Sequence, residues 1–518
     1  MGKHIELALA LLLAGSSTNA QKPATKTPAQ VAAEVRDYRR ANEGRIVREL
    51  REFLAIPNAA ADNANIRRNA DHLIEMLEAR GIETHALAIP GRGPVLYGKL
   101  IAPEATRTII FYAHYDGQPA DPKVWTGGKP FEPALRTDSI EAGGKLIPFP
   151  EDAANHPARY EDDWRIYARS AGDDKSPIVA LLAALDALRA KKIPLGVNLK
   201  LILEGEEEAG SPNLERAMQA NRNLLSADVL LVGDGPVDPS GLPLVDFGNR
   251  GVIDVQLTVY GPRRPLHSGH YGNWAPNPAF HLARLLASMK DEDGRVLVDG
   301  FYDDVAPLSA TEIMAIEEMP ANDEKLREEL QFGQAEGGGR KLMELINQPS
   351  LNIRGLRSAY VGAESQNVVP DKAEASLDLR LVKNIDPQKQ FQRLLQHIRK
   401  QGYFVVDHEP TKEERLAHAR VAKVTTDGGY PSTRTPMDTP VARKLVEVVE
   451  SAAGKTVKMP TSGGSVPMYI FENLGLPVIG VPIANHDDRQ HTSDENLRLG
   501  NLWRGMEIYG AILADLTW

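Results

Sequence analysis

Histidine and carboxylate side chains follow four short apolar stretches that are rich in β-branched residues. The stretches read TIIFYA (108–113), NLKLIL (198–203), VLLV (229–232) and PVIGVPI (477–483). The polar residues that follow them, in the same order, are His114 and Asp116; Glu204, Glu206, Glu207 and Glu208; Asp234; and His486 and His491. Imidazole nitrogens and carboxylate oxygens are ligands that zinc, manganese and cobalt accept. If these residues meet in space, they can form a metal site.

The four stretches predict strands that would bring the polar residues together. Short β-branched runs alternate here with segments of helical period, a pattern typical of an α/β fold with a mostly parallel sheet. In such sheets, ligands bind outside the carboxyl ends of the strands. Taken singly, each site has a plain structural reading as a buried histidine, a solvated acidic face, a turn aspartate or a loop histidine. Their occurrence together favours the metal site.

Composition limits the class of protein and the kind of site. The 518 residues are 42% apolar and 25% charged, which is typical of globular domains and argues against a disordered, collagen-like or coiled-coil chain. A formal net charge of −10 argues against a nucleic-acid partner. The chain has no cysteine, which excludes disulfides, thiolate-held metals, a cysteine nucleophile and a lipoprotein anchor. Any metal must be held by histidine and carboxylate.

Residues 1–20 predict a secretory signal peptide. Lys3 and His4 precede an apolar stretch at 7–14, and small residues lead to Ala20. The apolar stretch is shorter than the roughly 20 residues that a membrane span needs. Residues 21–31 then predict a flexible linker, and a periplasmic or secreted location follows. The alternative is an amphipathic leader on a cytoplasmic protein.

The remaining chain predicts one sheet domain interrupted by a second domain. Alternating stretches at 252–260 and 373–382 predict strands, and the segments at 278–290 and 387–401 predict helices of an α+β insert. After a turn-rich segment at 428–440, helical periodicity resumes. We assign residues 32–247 and 429–518 to the two parts of a catalytic domain and residues 248–428 to a lid domain.

Two further acidic residues complete a pattern that resembles a known family. Asp173 and Asp174, in RSAGDDKSP (169–177), precede a predicted helix for which Ser176 is the expected N-cap. The chain resembles the co-catalytic dizinc exopeptidases and deacylases, a family that includes carnosinase, cytosolic nonspecific dipeptidase, glutamate carboxypeptidase and acetylornithine deacetylase. The matching stretches, in the family's order, are AHYDGQPADPKVW (113–125), RSAGDDKSP, LEGEEEAGSPNL (203–214), VGDGP (232–236), FGNRG (247–251), LHSGHYG (266–272), NVVP (367–370), SGGSVP (462–467) and HTSDEN (491–496). Their residues are closest to the dipeptidase and carnosinase branch.

The resemblance implies a role for each polar residue near the predicted metals. Two divalent ions, with Zn²⁺ favoured and Mn²⁺ or Co²⁺ as alternatives, would be held by His114, Asp173, Glu208, Asp234 and His491, with Asp173 as the bridging ligand. Asp116 would orient His114, and Glu207 would be the general base for a hydroxide that bridges the metals. Ala168, Ser170 and Ser176 replace glycines of the family, which puts the family's cis peptide after Asp173 in question.

The resemblance also implies how substrate is held. His267 would reach the active site of a partner subunit and donate a hydrogen bond to the developing oxyanion, which implies a homodimer formed through the lid domain. Arg380 would pair with the terminal carboxylate of the substrate, and Asn367, Gly464 and Ser465 would lie near that group. The plain structural alternatives are a surface-loop histidine and a strand-face ion pair.

The implied function is hydrolysis of the peptide bond in dipeptides or short peptides that have a free C-terminal carboxylate. One alternative is an N-acyl amino-acid deacylase, similar to acetylornithine deacetylase, that uses the same groups on an acyl amide. Another is a catalytically silent relative that keeps the fold as a dimeric binding module. Neither a nucleic-acid partner nor a membrane span is expected.

Overall fold

The structure is a computed structural model that describes residues 26–152 and 157–518. The predicted signal peptide and most of the predicted linker lie outside these residues. The helices of the described chain are α1 Pro28–Leu54, α2 Asn63–Glu78, α3 Lys175–Ala190, α4 Leu214–Ala220, α5 Ser268–Tyr271, α6 Pro278–Ala287, α7 Ala310–Glu318, α8 Asp323–Glu329, α9 Leu342–Ile346, α10 Pro387–Lys400, α11 Lys412–Ala417, α12 Pro440–Ala453, α13 Tyr469–Glu472 and α14 Leu499–Asp515.

The strands of the same residues form two large and two small sheets. In chain order they are β1 Glu83–Leu87, β2 Val95–Leu100, β3 Arg107–His114, β4 Ala134–Arg136, β5 Leu146–Ile147, β6 Arg165–Tyr167, β7 Val197–Glu204, β8 Val229–Val232, β9 Leu244–Asp246, β10 Gly251–Tyr260, β11 Leu266–His267, β12 Ser350–Arg357, β13 Val368–Val369, β14 Lys372–Leu381, β15 Phe404–Val406, β16 Val421–Tyr430, β17 Val457–Met459, β18 Val478–Gly480 and β19 Asn496–Arg498.

The catalytic domain is built on an eight-stranded mixed sheet. Its strand order is β1-β2-β7-β3-β8-β18-β9-β17. The central strands β7, β3, β8 and β18 are parallel, whereas β1 and β2 run antiparallel to their neighbours. These four central strands are the four apolar stretches identified in the sequence. Their carboxyl ends therefore meet at one edge, as the parallel arrangement predicts.

Helix α3 is the most deeply buried helix beside this sheet. It packs against α1 and α14, and its apolar residues belong to the main core of the domain. The helix begins at Lys175 with Asp174 at the N-cap, so the prediction that Ser176 is the cap was wrong. The carboxylate of Asp174 instead accepts a hydrogen bond from the backbone N–H of His114 at 3.2 Å, which ties the helix start to the end of β3.

The first helix begins earlier than the sequence analysis placed it. Thr27 and Gln30 form a reciprocal capping box, and Pro28 occupies the first turn, where its missing N–H costs nothing. Helix α1 therefore includes residues 28–31, which were assigned to the flexible linker. Across residues 26–152 and 157–518, no helix combines the length and apolar character needed to cross a bilayer.

The inserted lid domain has its own five-stranded sheet and core. The strand order is β12-β14-β10-β16-β15, antiparallel except for the pair β15 and β16. Helices α6 and α10 pack on this sheet and share an apolar core with it. Strand β16 continues to Tyr430, so the sheet runs past the predicted boundary at residue 428.

Helices α7 to α9 lie inside the predicted lid range but contact the catalytic domain. Ala315 of α7 is part of the main core of that domain. Glu318 pairs with Lys458 of β17 at 3.0 Å, and the side chain of Asn322 donates to Asp238 at 2.9 Å. The assignment of all of residues 248–428 to a separate lid is therefore wrong for this segment. Helix α7 packs on β17, the last strand of the large sheet, rather than on the lid sheet.

Candidate active site

Two groups of metal-competent side chains meet at the carboxyl edge of the large sheet. One group is His114, Asp174 and Asp234, and the other is Asp173, Glu208 and His491; within each group the potential ligand atoms lie within 4.8 Å of one another. Asp173 lies between the groups. Its Oδ1 is 2.8 Å from Nε2 of His114, and its Oδ2 is 3.1 Å from Nε2 of His491. Each oxygen of Asp173 thus faces a different histidine, as a bridging carboxylate requires.

The remaining distances also suit metal ions. Oδ2 of Asp234 is 4.0 Å from Nε2 of His114, and Oε2 of Glu208 is 3.3 Å from Nε2 of His491. Two ligand atoms on one tetrahedral zinc lie about 3.3 Å apart, given bonds of about 2.0–2.2 Å. Among the described residues, neither Nε2 of His114 nor Oδ1 of Asp173 has a hydrogen-bond partner, although both atoms are buried. Because unpaired buried polar atoms are costly, this donor set fits two cations.

Asp116 organises both the first histidine and the glutamate loop. Its Oδ1 lies 3.3 Å from Nδ1 of His114, which leaves Nε2 free to face the site. The backbone N–H groups of Glu207 and Glu208 donate to the two oxygens of Asp116, at 3.2 and 2.9 Å. Gln118 donates to Oε2 of Glu208 at 2.7 Å. The contact with His114 was predicted from the sequence, whereas the other three contacts were not.

The charges of the ligand groups strongly perturb their pKa values. Burial would raise the pKa of Asp173, but His114 and His491 outweigh burial and hold that pKa well below its usual range. Burial and the negative charge of Asp173 raise the pKa of Glu208 to about 7 and that of Asp234 to about 6. Three carboxylates at such short distances repel one another unless a cation lies between them.

Glu207 occupies the same cavity as the ligands without belonging to either ligand group. The cavity is lined by Asp173, Glu207, Asp234 and His491. Burial raises the pKa of Glu207 well above its usual range, and the negative charges of Asp234 and Glu208 raise it further against the opposing effect of His114. A buried carboxyl group of this kind holds its proton more readily than one in water.

A buried glutamate that the sequence analysis missed joins two ligand loops. Glu495 accepts backbone N–H groups of Ser170, Gly172 and Asp173 at 2.9, 3.0 and 3.0 Å, and Arg169 pairs with it at 2.7 Å. Because Glu495 follows His491 closely in the chain, it holds the loop of Asp173 against the loop of His491. The motif HTSDEN contained this residue, but only the long-range contacts reveal its role.

The peptide bond between Asp173 and Asp174 is cis. The serines and alanine that replace family glycines nearby therefore do not prevent this conformation. One of these replacements, Ser170, has a positive φ of 61°, a backbone conformation that glycine adopts more readily.

Arg380 lies beside the same cavity. Its Nη1 donates to Oγ of Ser465 at 2.6 Å, and its Nε donates to Asp378 at 3.1 Å. Ser465 and Gly464 both line the cavity that contains Glu207. The ion pair with Asp378 is the plain structural alternative for Arg380, and the hydrogen bond to Ser465 connects its guanidinium to a residue that lines the cavity.

His267 and Asn367 lie together on the lid, away from the ligand groups of their own chain. Strands β11 and β13 pair here, and the backbone N–H of Ser268 donates to the carbonyl of Asn367 at 2.9 Å. Both His267 and Asn367 are exposed, and neither lines the cavity of the ligand groups. The structure therefore does not bring His267 and Asn367 into the cavity of their own chain, whereas Arg380 contacts it through Ser465.

Comparisons with known proteins agree with this geometry. The sequence profile described as Peptidase family M20/M25/M40 matches residues 110–515. The Cys-Gly metallodipeptidase of Candida albicans is 26% identical over 495 residues, which cover 90% of this chain and 94% of that protein. Human β-Ala-His dipeptidase is 26% identical over 443 residues, which cover 83% of this chain and 78% of that protein.

Solved structures show the same fold. An M20 family metallo-carboxypeptidase from Sulfolobus solfataricus superposes with a TM-score of 0.74 at 29% identity, covering 91% of this chain and 99% of that one. Human carnosine dipeptidase 1 superposes with a TM-score of 0.74 at 22% identity, covering 94% of this chain and 98% of that one. The predicted fold, a catalytic α/β domain with an inserted lid, is confirmed. Since the family profile covers well over half of its length, the chain belongs to peptidase family M20/M25/M40.

Proposed function

We propose that this protein is a metal-dependent dipeptidase that hydrolyses dipeptides or short peptides with a free C-terminal carboxylate. The observation that carries the proposal is the composition of one cavity. Glu207 lies there beside the two ligand groups, Asp173 faces a histidine of each group, and Ser465 links the cavity to Arg380. The relatives named as dipeptidases support the same choice over an acyl-amino-acid deacylase.

The residues of this chain divide the work of hydrolysis. Two divalent ions, when bound, polarise the peptide carbonyl and make the attacking water more acidic. Glu207 accepts the proton of that water and returns it to the nitrogen of the leaving amine, because it lines the cavity beside the ligand groups without belonging to either of them. Asp116 keeps Nε2 of His114 directed at the site throughout.

Arg380 supplies the selectivity for a free C-terminal carboxylate. A guanidinium group matches a carboxylate with two parallel hydrogen bonds. Its contacts with Ser465 and Asp378 hold the guanidinium in place before substrate arrives. Gly464 and Ser465 line the cavity nearby and complete the polar end of the site.

Zn²⁺ is the proposed working metal. Both groups combine histidine nitrogen with carboxylate oxygen, a donor set that zinc favours and that Mn²⁺ and Co²⁺ also accept. Elemental analysis of protein purified without chelator measures which metal is bound and how many ions each chain holds. About two zinc ions per chain are expected, and manganese or cobalt in that amount would replace the assignment.

The active protein is proposed to be a homodimer in which His267 and Asn367 of the partner subunit complete each site. Support comes from the exposed position of both residues on the lid. The same domain exposes large apolar side chains, and β12 is an edge strand of its sheet; the exposed residues are Trp274, Phe280, Leu356, Tyr360 and Val361. Exposed apolar residues beside an open sheet edge mark a surface suited to a partner.

A periplasmic or secreted location is proposed from the leader sequence alone. The first 20 residues have the charge, apolar stretch and small residues of a signal peptide. Expression of the full chain in a bacterial host, followed by fractionation and amino-terminal sequencing, tests the proposal. Mature protein outside the cytoplasm that begins at Gln21 is expected, and intact Met1 in the cytoplasm would contradict it.

A substrate panel tests the proposed reaction. Unmodified dipeptides, the same dipeptides with an amidated C-terminus and N-acetyl amino acids should be compared with one metal-loaded preparation. Fast hydrolysis of the unmodified dipeptides and slow hydrolysis of the amidated ones are expected, because only a free carboxylate can pair with Arg380. Faster hydrolysis of N-acetyl amino acids would favour the deacylase. Equal rates for amidated dipeptides would contradict the role of Arg380.

A further inference from the structure

Much of the cavity that contains the ligand groups is apolar. Its volume is about 490 Å³, and Glu207 and His491 are among the polar residues that line it. Apolar side chains contribute a large share of the remaining lining, and we call the following six the apolar wall: Val237, Leu244, Ile316, Met319, Leu326 and Met343. A peptide bound at the metals would occupy the same cavity as this wall.

The wall is held in place by polar contacts that leave its apolar side facing the cavity. Oδ1 of Asp238 accepts a hydrogen bond from Asn322 at 2.9 Å, and Asp238 lies in the loop that also carries the ligand Asp234. Asp323 accepts the backbone N–H of Leu342 at 2.7 Å, which joins α8 to α9. Both carboxylates also line the cavity. The six wall residues themselves offer a ligand apolar surface beside these two charged side chains.

We propose that the apolar wall binds a large aliphatic side chain of the substrate. Dipeptides that contain leucine, isoleucine or methionine are then preferred over those built only from glycine and alanine. The inference rests on the proposed dipeptidase function, since the same cavity contains Glu207 and the ligand groups.

The half-buried residues of the wall explain why an aliphatic side chain is favoured there. Met319, Leu326 and Met343 are each only partly covered in the chain. A substrate side chain that covers them removes its own apolar surface and theirs from water, which favours binding. Methionine side chains are flexible and adapt to several aliphatic shapes, so a class of side chains is expected rather than one.

Paired dipeptides test the preference and its position. Leucylglycine is compared with alanylglycine, and glycylleucine with glycylalanine, as kcat/KM for the metal-loaded protein. A preference for leucine of at least about tenfold is expected in one pair, because each methylene in an apolar pocket changes the specificity constant about tenfold or more. The pair that shows the preference identifies which residue of the substrate meets the wall. Equal kcat/KM values within both pairs would overturn the proposal.

Two methionines of the same segment provide a matched variant and control. Met319 belongs to the wall, whereas Met314 on α7 is 53% exposed and outside the cavity lining. The variant Met319→Ser should lower the leucine preference about three- to tenfold. The control Met314→Ser should keep the preference of the unmodified protein. An unchanged preference in Met319→Ser, or an equal loss in both variants, would contradict the assignment.

A binding measurement separates this inference from the proposed function. Calorimetry with the Glu207→Gln protein compares leucylglycine and glycylleucine with their alanine counterparts in the absence of fast hydrolysis. Tighter binding of one leucine peptide supports the wall, even if the unmodified protein hydrolyses no dipeptide and the proposed function fails. Hydrolysis without any leucine preference, or equal affinities in the calorimeter, would overturn the proposal that the apolar wall binds an aliphatic side chain. Neither result would contradict the dipeptidase function.

Discussion

Asp116 is hydrogen-bonded to the backbone N–H of Glu208, at 2.9 Å from its Oδ2, while its other oxygen lies 3.3 Å from Nδ1 of His114. One buried carboxylate thereby fixes a ligand of each proposed metal. The two ligands come from different loops, one after β3 and one after β7. The geometry of the site depends on this residue even though it is not itself in either ligand group.

The substitution Asp116→Asn should weaken metal binding. The amide nitrogen of asparagine cannot accept the N–H of Glu207 or Glu208, so one of these bonds becomes repulsive. Loss of such a supporting contact lowers metal affinity about 10- to 100-fold. Competition with a metal-binding dye measures the affinity, and Asp37→Asn, on the exposed side of α1, is the control. Wild-type affinity in Asp116→Asn would refute the role.

The variants Glu207→Gln and Glu208→Gln should lose different properties, catalysis and metal binding respectively, although the residues are adjacent. Glu207→Gln keeps both metals but loses the proton acceptor, so kcat should fall about 10²- to 10⁴-fold. Glu208→Gln should lose metal, since Glu208 lies 3.3 Å from His491 in a ligand group. Metal content and kcat are measured on the same preparations. Loss of metal from Glu207→Gln, or near-normal kcat, would contradict the division of roles.

Metal-free protein should become less stable as pH rises from 5 to 8. Burial raises the pKa of Asp234 to about 6 and of Glu208 to about 7, so the folded state binds protons that the unfolded state releases near pH 4. The stability that these two groups contribute is therefore lost as the pH rises through their pKa values in the folded state. His491, whose pKa is raised to about 9 chiefly by Asp173, acts in the same direction.

Thermal melts of metal-free and metal-loaded protein across this pH range check the prediction. The metal-loaded protein is the control. Because metal binds the deprotonated ligands, the stabilisation that bound metal gives to the protein grows with pH. The gap between the two melting temperatures should widen from pH 5 to pH 8. A gap that is constant, or that narrows, would show that the carboxylates do not repel one another in the metal-free state.

Mixing two inactive variants should restore activity if His267 acts across a dimer. Glu207→Ala and His267→Ala subunits, dissociated and reassembled together, form mixed dimers in which one site has an intact Glu207 and an intact His267 of the partner subunit. Random mixing should recover about a quarter of the wild-type rate. Each variant taken alone through the same procedure is the control. No recovery in a mixture that does form mixed dimers would place the action of His267 within one chain or remove it from the reaction.

The sequence predicted the parts of the fold that local periodicity determines. Strands β3, β7, β8 and β18 were found because their apolar, β-branched runs are continuous, as expected for strands buried on both faces. The ligands directly after these strands followed from the same pattern. Their metal-binding and catalytic roles remain predictions, to which the observed distances add support.

Features that depend on contacts distant in the chain could not be predicted. Glu495 meets the loop at 169–173 across more than 300 residues. The packing of α7 on β17 was not predicted. An amphipathic pattern indicates that one face of a helix is buried, but it does not identify the element against which that face packs. Ser176 was chosen as a cap because its type is favourable, whereas contact with His114 sets the helix start at Lys175.

The most direct test of metal-dependent peptide hydrolysis at this site is a metal titration. Protein freed of metal by chelation and dialysis is titrated with Zn²⁺ while the hydrolysis of dipeptides is followed. The rate should be near zero at the start, rise with added metal and level off at about two ions per chain, since there are two ligand groups and Asp173 faces a histidine of each. Undiminished hydrolysis by the metal-free protein, or no hydrolysis at any metal content, would contradict the proposed function.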